Sequence, residues 1–352
     1  MLDKEYAGNL HIHSTFSDGT ATVEEIAAAA RRAGLSFVGI NDHFHLKALQ
    51  AGREGLLGGV VVIIGSELNE DYNHYLAYGI IEEIPSDTAH PQNVISAVKK
   101  QGGIGFIAHP YELGSPLHDG GHAFNWTRWD VNGFTGMSIW NFSSIWKGNV
   151  RNHFQGLYYY YNIAAANLDP LPDTLKKWDE LLSTRKVVAI GGSDNHGAKV
   201  KALLGLIRGK VFDYEYAFRA VNTHVLLKNE LPQDFAAAKR TIFDALRQGN
   251  CFVACSLFEN PRGFRFYAET KNGIVNMGEE ASLADSPMLF VKSPVPAHIR
   301  FIQSGRIVKE DLANASSFTP DSPGPCRVEV HLPRGKGRTR GWIYSNPIYL
   351  NK

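Results

Sequence analysis

The sequence predicts an α/β protein with a small all-β unit at its C-terminus. Three observations predict it. Short apolar runs alternate with helical patterns over roughly the first 250 residues. Histidines and carboxylates recur just beyond those runs, and from about Pro261 the pattern turns to strand-like alternation broken by Pro and Gly. At 352 residues the chain is too long for one ordinary domain and too short for three. We therefore expect a large α/β unit over 1–257 and a smaller β unit over 258–352.

The elements follow in order. Beyond Leu10 and a His-rich loop, Thr22-Val23-Glu24-Glu25 has the spacing of a capping box, and the Ala-rich helix it opens ends near Gly34. Phe37 to Ile40, Val60 to Ile64, Tyr75 to Ile80 and Ile104 to Ala108 read as buried strands. The last is preceded by a helix from about Asn93 to Gln101 that stops at Gly102-Gly103. Between Pro110 and Leu171 the regularity fails. Trp126, Trp129, Trp140, Trp146 and the run Tyr158 to Tyr161 suggest a lid or a substrate wall. A helix from about Asp173 to Thr184 and a strand at Val187 to Ile190 resume the pattern. Cys251 to Cys255 reads as a buried strand rather than a reactive thiol pair. Phe264 to Ala268, Met288 to Val291, Ile299 to Ile302 and Arg327 to Leu332 predict the antiparallel C-terminal strands.

Charge and cysteine usage exclude several classes. Lys plus Arg total 36 against 35 Asp plus Glu, so no global field or basic cluster offers a nucleic-acid track, and an anionic substrate must be held locally. Three cysteines without Cys-x-x-Cys spacing are too few for a disulfide framework. Neither an apolar signal core nor a membrane-length apolar stretch occurs, so we expect a soluble cytoplasmic protein.

The chemistry lies in His11-x-His13, Asp18, Asp42-His43, Glu67, His109 and Asp194-x-His196. Imidazole nitrogens and carboxylate oxygens suit zinc, manganese and iron alike, and the lack of sulfur leaves the metal open. Singly, each cluster has an ordinary reading: a surface histidine pair, a turn at Asp18-Gly19, a solvent-facing Glu67, a helix cap at Ser193-Asp194. Jointly they lie beyond the ends of apolar strands, which share one face in parallel α/β barrels. The five histidines together with Asp18, Glu67 and Asp194 are enough for two or three divalent ions, and Glu67 can bridge two of them. Gly191-Gly192 beside Asp194 predicts close backbone approach.

These motifs, over about residues 8 to 255, resemble the polymerase and histidinol phosphatase, or PHP, family. The resemblance implies a distorted, TIM-like barrel of seven β/α units with two or three metal ions on its C-terminal face. The tail Trp342 to Tyr349 is similar to that of two-domain members with a β-sandwich after the barrel. By the same resemblance, His11, His13, Glu67 and Asp194 surround one metal, Glu67 and His109 hold a second, and Asp18, His43 and His196 make a third position. Three departures stand out. Ser138 occupies a strand position where glutamate is common, leaving the second ion's ligand count open; Phe44 replaces an acid, and Tyr111 replaces an arginine.

Other residues carry two readings each. His74 is a metal or substrate contact, or structural. Asp42 orients an imidazole, or serves as acid or base near the metals. Lys199 neighbours a phosphate, or is a surface lysine on a following helix. His118 and His122 are solvated or lid residues. The function expected first is a metal-dependent phosphoesterase that cleaves a small phosphorylated metabolite or nucleotide by attack of a metal-bridging hydroxide. A carbamate, ester or amide hydrolase using the same site is the second expectation, and a non-enzymatic metal-holding binding protein the third.

Overall fold

The computed structural model describes residues 2–197, 199–202, 207–210 and 212–352, with 119, 199–202 and 207–210 as backbone alone. β1 (Lys4–Leu10) leads through the His-rich loop into α1 (Val23–Arg32). The expected capping box forms. The Thr22 hydroxyl accepts from the Glu25 amide at 3.3 Å, and the Glu25 carboxylate accepts from the Thr22 amide at 2.8 Å. β2 (Phe37–Ile40), α2 (Lys47–Gln50), β3 (Gly55–Leu57), β4 (Val60–Leu68), β5 (Tyr75–Tyr78), α3 (Pro91–Lys100) and β6 (Ile104–Ile107) follow. α3 starts slightly earlier than expected because Pro91 takes a first-turn position, where its missing N–H costs nothing.

The irregular stretch holds more structure than its composition suggests. β7 (Gly136–Asn141), α4 (Phe142–Asn149) and α5 (His153–Tyr161) lie within it, and Trp126, Trp140 and Trp146 fill the core. α6 (Pro172–Leu182), β8 (Val188–Gly192), the hairpin β9 (Lys199–Ala202) and β10 (Ile207–Lys210), α7 (Tyr214–Phe218), β11 (Val221–Leu227), α8 (Phe235–Gln248) and β12 (Cys251–Cys255) continue the chain. Lys199 therefore opens a strand rather than lying on a helix, and its side chain is outside the described residues. The β12 residues are all buried, and burial pushes the Cys251 and Cys255 thiols up to about 12, as suits a structural strand.

β1, β2 and β4 pair in parallel, as do β6, β7 and β8. β5 breaks the uniform order by running antiparallel to both β4 and β6. The link from Leu68 to Tyr75 is too short for the crossover of about a dozen residues that a parallel pair needs. Asn69, Asp71 and Asn73 turn it tightly through left-handed conformations. The start of β5 consequently shares a face with the ends of β4 and β6. β1 and β8 approach through one parallel bridge, Ile12 with Asn195, and the Asp194 amide donates to the His11 carbonyl at 2.9 Å. The glycine pair permits this: a Cβ on Gly192 would lie 1.9 Å from the Leu10 carbonyl oxygen, and one on Gly191 2.3 Å from a Val253 methyl.

The C-terminal part is β13 (Arg265–Thr270), β14 (Gly273–Asn276), β15 (Glu280–Ser282), β16 (Met288–Gln303), β17 (Arg306–Phe318), β18 (Gly324–Pro333), β19 (Thr339–Ser345) and β20 (Ile348–Asn351). The two strands expected at Met288 to Val291 and Ile299 to Ile302 are one long strand. Its register with β17 shifts between Lys292 and Ala297, where Pro294 and Pro296 cannot donate to the ladder. Phe264, Phe266, Ile299, Phe301, Val328 and Trp342 form a core here that also takes in Phe252 and Ala254 of β12. β12 pairs with β19, and Arg327 forms a two-pronged ion pair with Asp179 of α6 at 2.7 and 2.8 Å. Among the described residues no helix is long and apolar enough to cross a membrane.

Candidate metal centre

His11 and His13 follow β1, Asp42 and His43 follow β2, Glu67 sits near the end of β4, His109 follows β6, and Asp194 and His196 follow β8. His74 precedes β5, and the reversed direction of that strand brings it to the same face. The side chains form three donor groups, each with its ligand atoms within 4.8 Å of one another. They are His11, His13, Glu67 and Asp194; Glu67, His74 and His109; and His13, Asp18, His43 and His196.

Glu67 joins the first two groups by dividing its oxygens between them. Oε2 lies 2.9 Å from His11 Nε2 and 3.2 Å from His13 Nε2, whereas Oε1 lies 2.8 Å from His74 Nδ1 and 3.2 Å from His109 Nε2. Asp194 Oδ1 is 3.2 Å from His11 Nε2 and 3.3 Å from His13 Nε2, and its other oxygen accepts from Asn141 Nδ2 at 3.1 Å. In the third group Asp18 Oδ2 lies 3.3 Å from His196 Nε2 and 3.6 Å from His43 Nε2. The His13 ring stacks between His43 and His196, at centroid distances of 4.3 and 4.0 Å. His11 and Asp194 hold φ values of 107° and 50°, conformations that side-chain-bearing residues rarely adopt. Such strain is sustained where surrounding structure over-determines it.

The electrostatics ask for positive charge at the centre. Burial would raise the carboxyls of Glu67 and Asp194, but His11 and the other imidazoles hold both well below the usual carboxylate range. Burial would lower His13, yet Asp194 and Glu67 outweigh it and raise that imidazole to about 10. His109 rises against its burial to about 9 through Glu112 and Glu67. His43 goes the other way, since burial dominates and takes it down to about 4. Both nitrogens of His13 and Nδ1 of His43 lie beside carboxylate oxygens of the site, at 3.2 to 3.7 Å, yet make no well-aligned hydrogen bond. Leaving one such group unsatisfied costs about 1–3 kcal/mol. Closely set acids and imidazoles thus fit divalent cations of the zinc, manganese and iron type.

Several surrounding residues take roles that the sequence left open or concealed. Both Asp42 oxygens are taken by serines: Oδ1 accepts from the Ser14 amide at 2.8 Å and Ser17 Oγ at 2.7 Å, and Oδ2 from Ser14 Oγ at 2.6 Å. The carboxylate read as a possible acid or base is therefore employed in fastening the His-rich loop. Ser138 is buried on β7 and belongs to none of the donor groups; His74 supplies the third residue beside Glu67 and His109. Glu112, unnoticed in the sequence, is buried with Oε1 3.8 Å from His109 Nδ1, and it accepts from the Phe124 amide and the Ser144 hydroxyl. Its only sequence signal is an acid three residues beyond His109 in an aromatic-rich segment. Tyr111 stacks on Trp129, and His122 is a half-buried residue whose ring lies 2.9 Å from the Asp71 carbonyl. Two recesses of about 310 and 450 Å³ flank the donor groups and share Asp18, Lys147, Asp194 and His196 in their walls.

Residues 9–114 match the family model of the PHP domain. An uncharacterized protein of Methanocaldococcus jannaschii is 28% identical over 115 residues, covering 29% of this chain and 67% of that protein. A solved two-domain protein from Bacteroides vulgatus, containing a predicted PHP-like metal-dependent phosphoesterase, is similar with a TM-score of 0.49 and 15% identity over 98% of this chain and 95% of that one. An amidohydrolase from Chromobacterium violaceum, solved with sulfate and no metal, is similar with a TM-score of 0.33 and 15% identity over 54% of this chain and 87% of that one.

Proposed function

The chain carries a PHP domain over residues 9–114, and from that premise we propose that it is a metal-dependent hydrolase acting as a phosphoesterase on a small phosphorylated metabolite or nucleotide. The observation that carries the reading is Glu67, whose two oxygens each face a separate set of imidazoles. His11, His13, Glu67 and Asp194 would hold one cation, Glu67, His74 and His109 a second, and Asp18, His43 and His196 a third. Bound divalent cations acidify water and neutralise charge on phosphoryl oxygens.

The chain's own groups prepare the site. Asn141 orients Asp194 through its amide, Asp42 anchors the loop that bears His13 and Asp18, and Glu112 faces the outer nitrogen of His109. We read β1, β2 and β4 to β8 as a distorted seven-stranded barrel, residues 1–257 as the catalytic unit, and 258–352 as a β-sandwich. The strands β13 to β20 supply most of a core separate from those of the first unit, and Phe252 and Ala254 of β12 join the two units. Three free, buried thiols suit the reducing cytoplasm.

Trp146 and Phe212 in the wall of one recess favour a second reading, a carbamate, ester or amide hydrolase with an apolar substrate. Phosphomonoesters and phosphodiesters assayed beside aryl esters and carbamates, each with manganese, zinc or iron, separate the two. Phosphoester cleavage with at least one metal is expected, read as phosphate from the monoesters and as released alcohol from the diesters. None with any of them would reject the phosphoesterase.

A further inference from the structure

We infer that Lys147 is the anion-binding residue of this site, and that the recess beside it, walled by Trp146 and Phe212, receives a planar apolar part of the substrate. The inference rests on the hydrolase reading of the donor groups and narrows its substrates to aryl or heteroaryl esters of an oxyanion such as phosphate.

The position of Lys147 is built from the site outward. Asn141 caps α4 by accepting from the Ser144 amide at 3.0 Å, and the same side chain donates to Asp194. The helix that presents the lysine is thereby tied to a carboxylate of the first donor group. Lys147 is largely buried, and its ammonium lies 5.4 Å from the centre of the Phe124 ring and 3.7 Å from Glu112 Oε2. That separation gives Coulombic attraction without a hydrogen bond. Glu112 is itself fixed by accepting from the Phe124 amide and the Ser144 hydroxyl, and among the described residues the Lys147 ammonium donates no hydrogen bond, which leaves its donors for a ligand.

Lys147 lines both recesses, and among their described wall residues it is the one lysine or arginine. A compact ammonium between two cavities that border the donor groups can meet an oxyanion from either side. The 310 Å³ recess adds shape. Trp146 and Phe212 meet edge to face with centroids 5.0 Å apart, and Phe212 is stacked on Tyr216 at 4.9 Å, which fixes the wall. Asp194, Asn195 and His196 line the same recess. An ester whose oxyanion reaches Lys147 can lay a ring along the aromatic wall without leaving the site.

The test is calorimetric titration of the manganese-loaded full chain with inorganic phosphate, methylphosphonate and phenylphosphonate, none of which carries an ester bond to cleave. Phenylphosphonate should bind about tenfold or more tightly than methylphosphonate. Lys147→Met should weaken all three about tenfold or more with manganese content unchanged, and Lys147→Arg should recover much of the loss. Trp146→Leu should abolish the preference for phenyl while leaving phosphate affinity in place; if its melting curve shows a damaged fold, Phe212→Leu makes the same measurement. Lys147→Met binding phosphate like the wild type, wild type that binds no phosphate, or equal affinity for the two phosphonates would each overturn the inference. Lys147-dependent binding without hydrolysis of any phosphoester would reject the phosphoesterase while sparing this assignment. Phosphate release that Lys147→Met leaves unchanged would do the reverse.

Discussion

His74 Nδ1 lies 2.8 Å from Glu67 Oε1, the oxygen that does not face His11. This contact makes His74 a partner of His109 and supplies the third residue that Ser138 does not. Replacing His74 by alanine should remove about one equivalent of bound cation and leave the group around His11 loaded, lowering turnover about 100-fold or more. Elemental analysis beside steady-state rates checks it; full metal content would return His74 to a purely structural role.

Asp42 should act through position rather than proton transfer. Asp42→Asn keeps the shape but weakens the bonds to Ser14 and Ser17, so kcat should fall about 10–100-fold while the pH–rate profile keeps both limbs. Loss of one limb in the variant would restore Asp42 as an acid or base.

The approach of β8 to β1 leaves no room for a methyl group at Gly192, whose added Cβ would sit 1.9 Å from the Leu10 carbonyl oxygen. Gly192→Ala should destabilise the protein by about 1–3 kcal/mol and weaken metal retention, because Asp194 hangs from the same strand end. Urea unfolding with metal analysis measures both, and a variant as stable and as well loaded as the wild type would contradict the close packing.

Glu5 makes a prediction about acid stability. Burial would raise its carboxyl, but His224, the Gly263 amide and Arg265 outweigh that and hold it at about 2, below its ordinary value of 4.5. A folded-state pKa below the unfolded one contributes stability above the unfolded value, lost as pH falls toward the folded one. Glu5→Gln should therefore lower stability at pH 7, by about 1–3 kcal/mol for the charged hydrogen bonds it weakens. The difference between variant and wild type should shrink as pH falls from about 4.5 to about 2. A difference independent of pH across that window would exclude the ionised carboxylate as its source.

Much of the donor set was legible because it depends only on where strands end. His11, His13, His43, His109, Asp194 and His196 each follow an apolar run, so alternation of strand and helix suffices to bring them to one face. His74 was ambiguous because it precedes a strand, and its placement follows from the reversal of β5. The turn-prone Asn69 to Asn73 link was the available sign of that reversal. Glu112 and Lys147 lay hidden in the aromatic-rich stretch, where burial comes from contacts with Phe124 and Ser144, remote in sequence and not periodic. The division of β16 into two expected strands failed for a local reason: prolines that interrupt a ladder need not end the strand.

The central claim is that Glu67 is shared by two cation positions. Metal content of the purified chain, measured beside Glu67→Ala after identical loading and dialysis, tests it most directly. The account predicts about two to three equivalents in the wild type and loss of about two of them in the variant, with the position at Asp18, His43 and His196 least affected. A wild type that retains no divalent cation, or a variant that retains as much as the wild type, would contradict it.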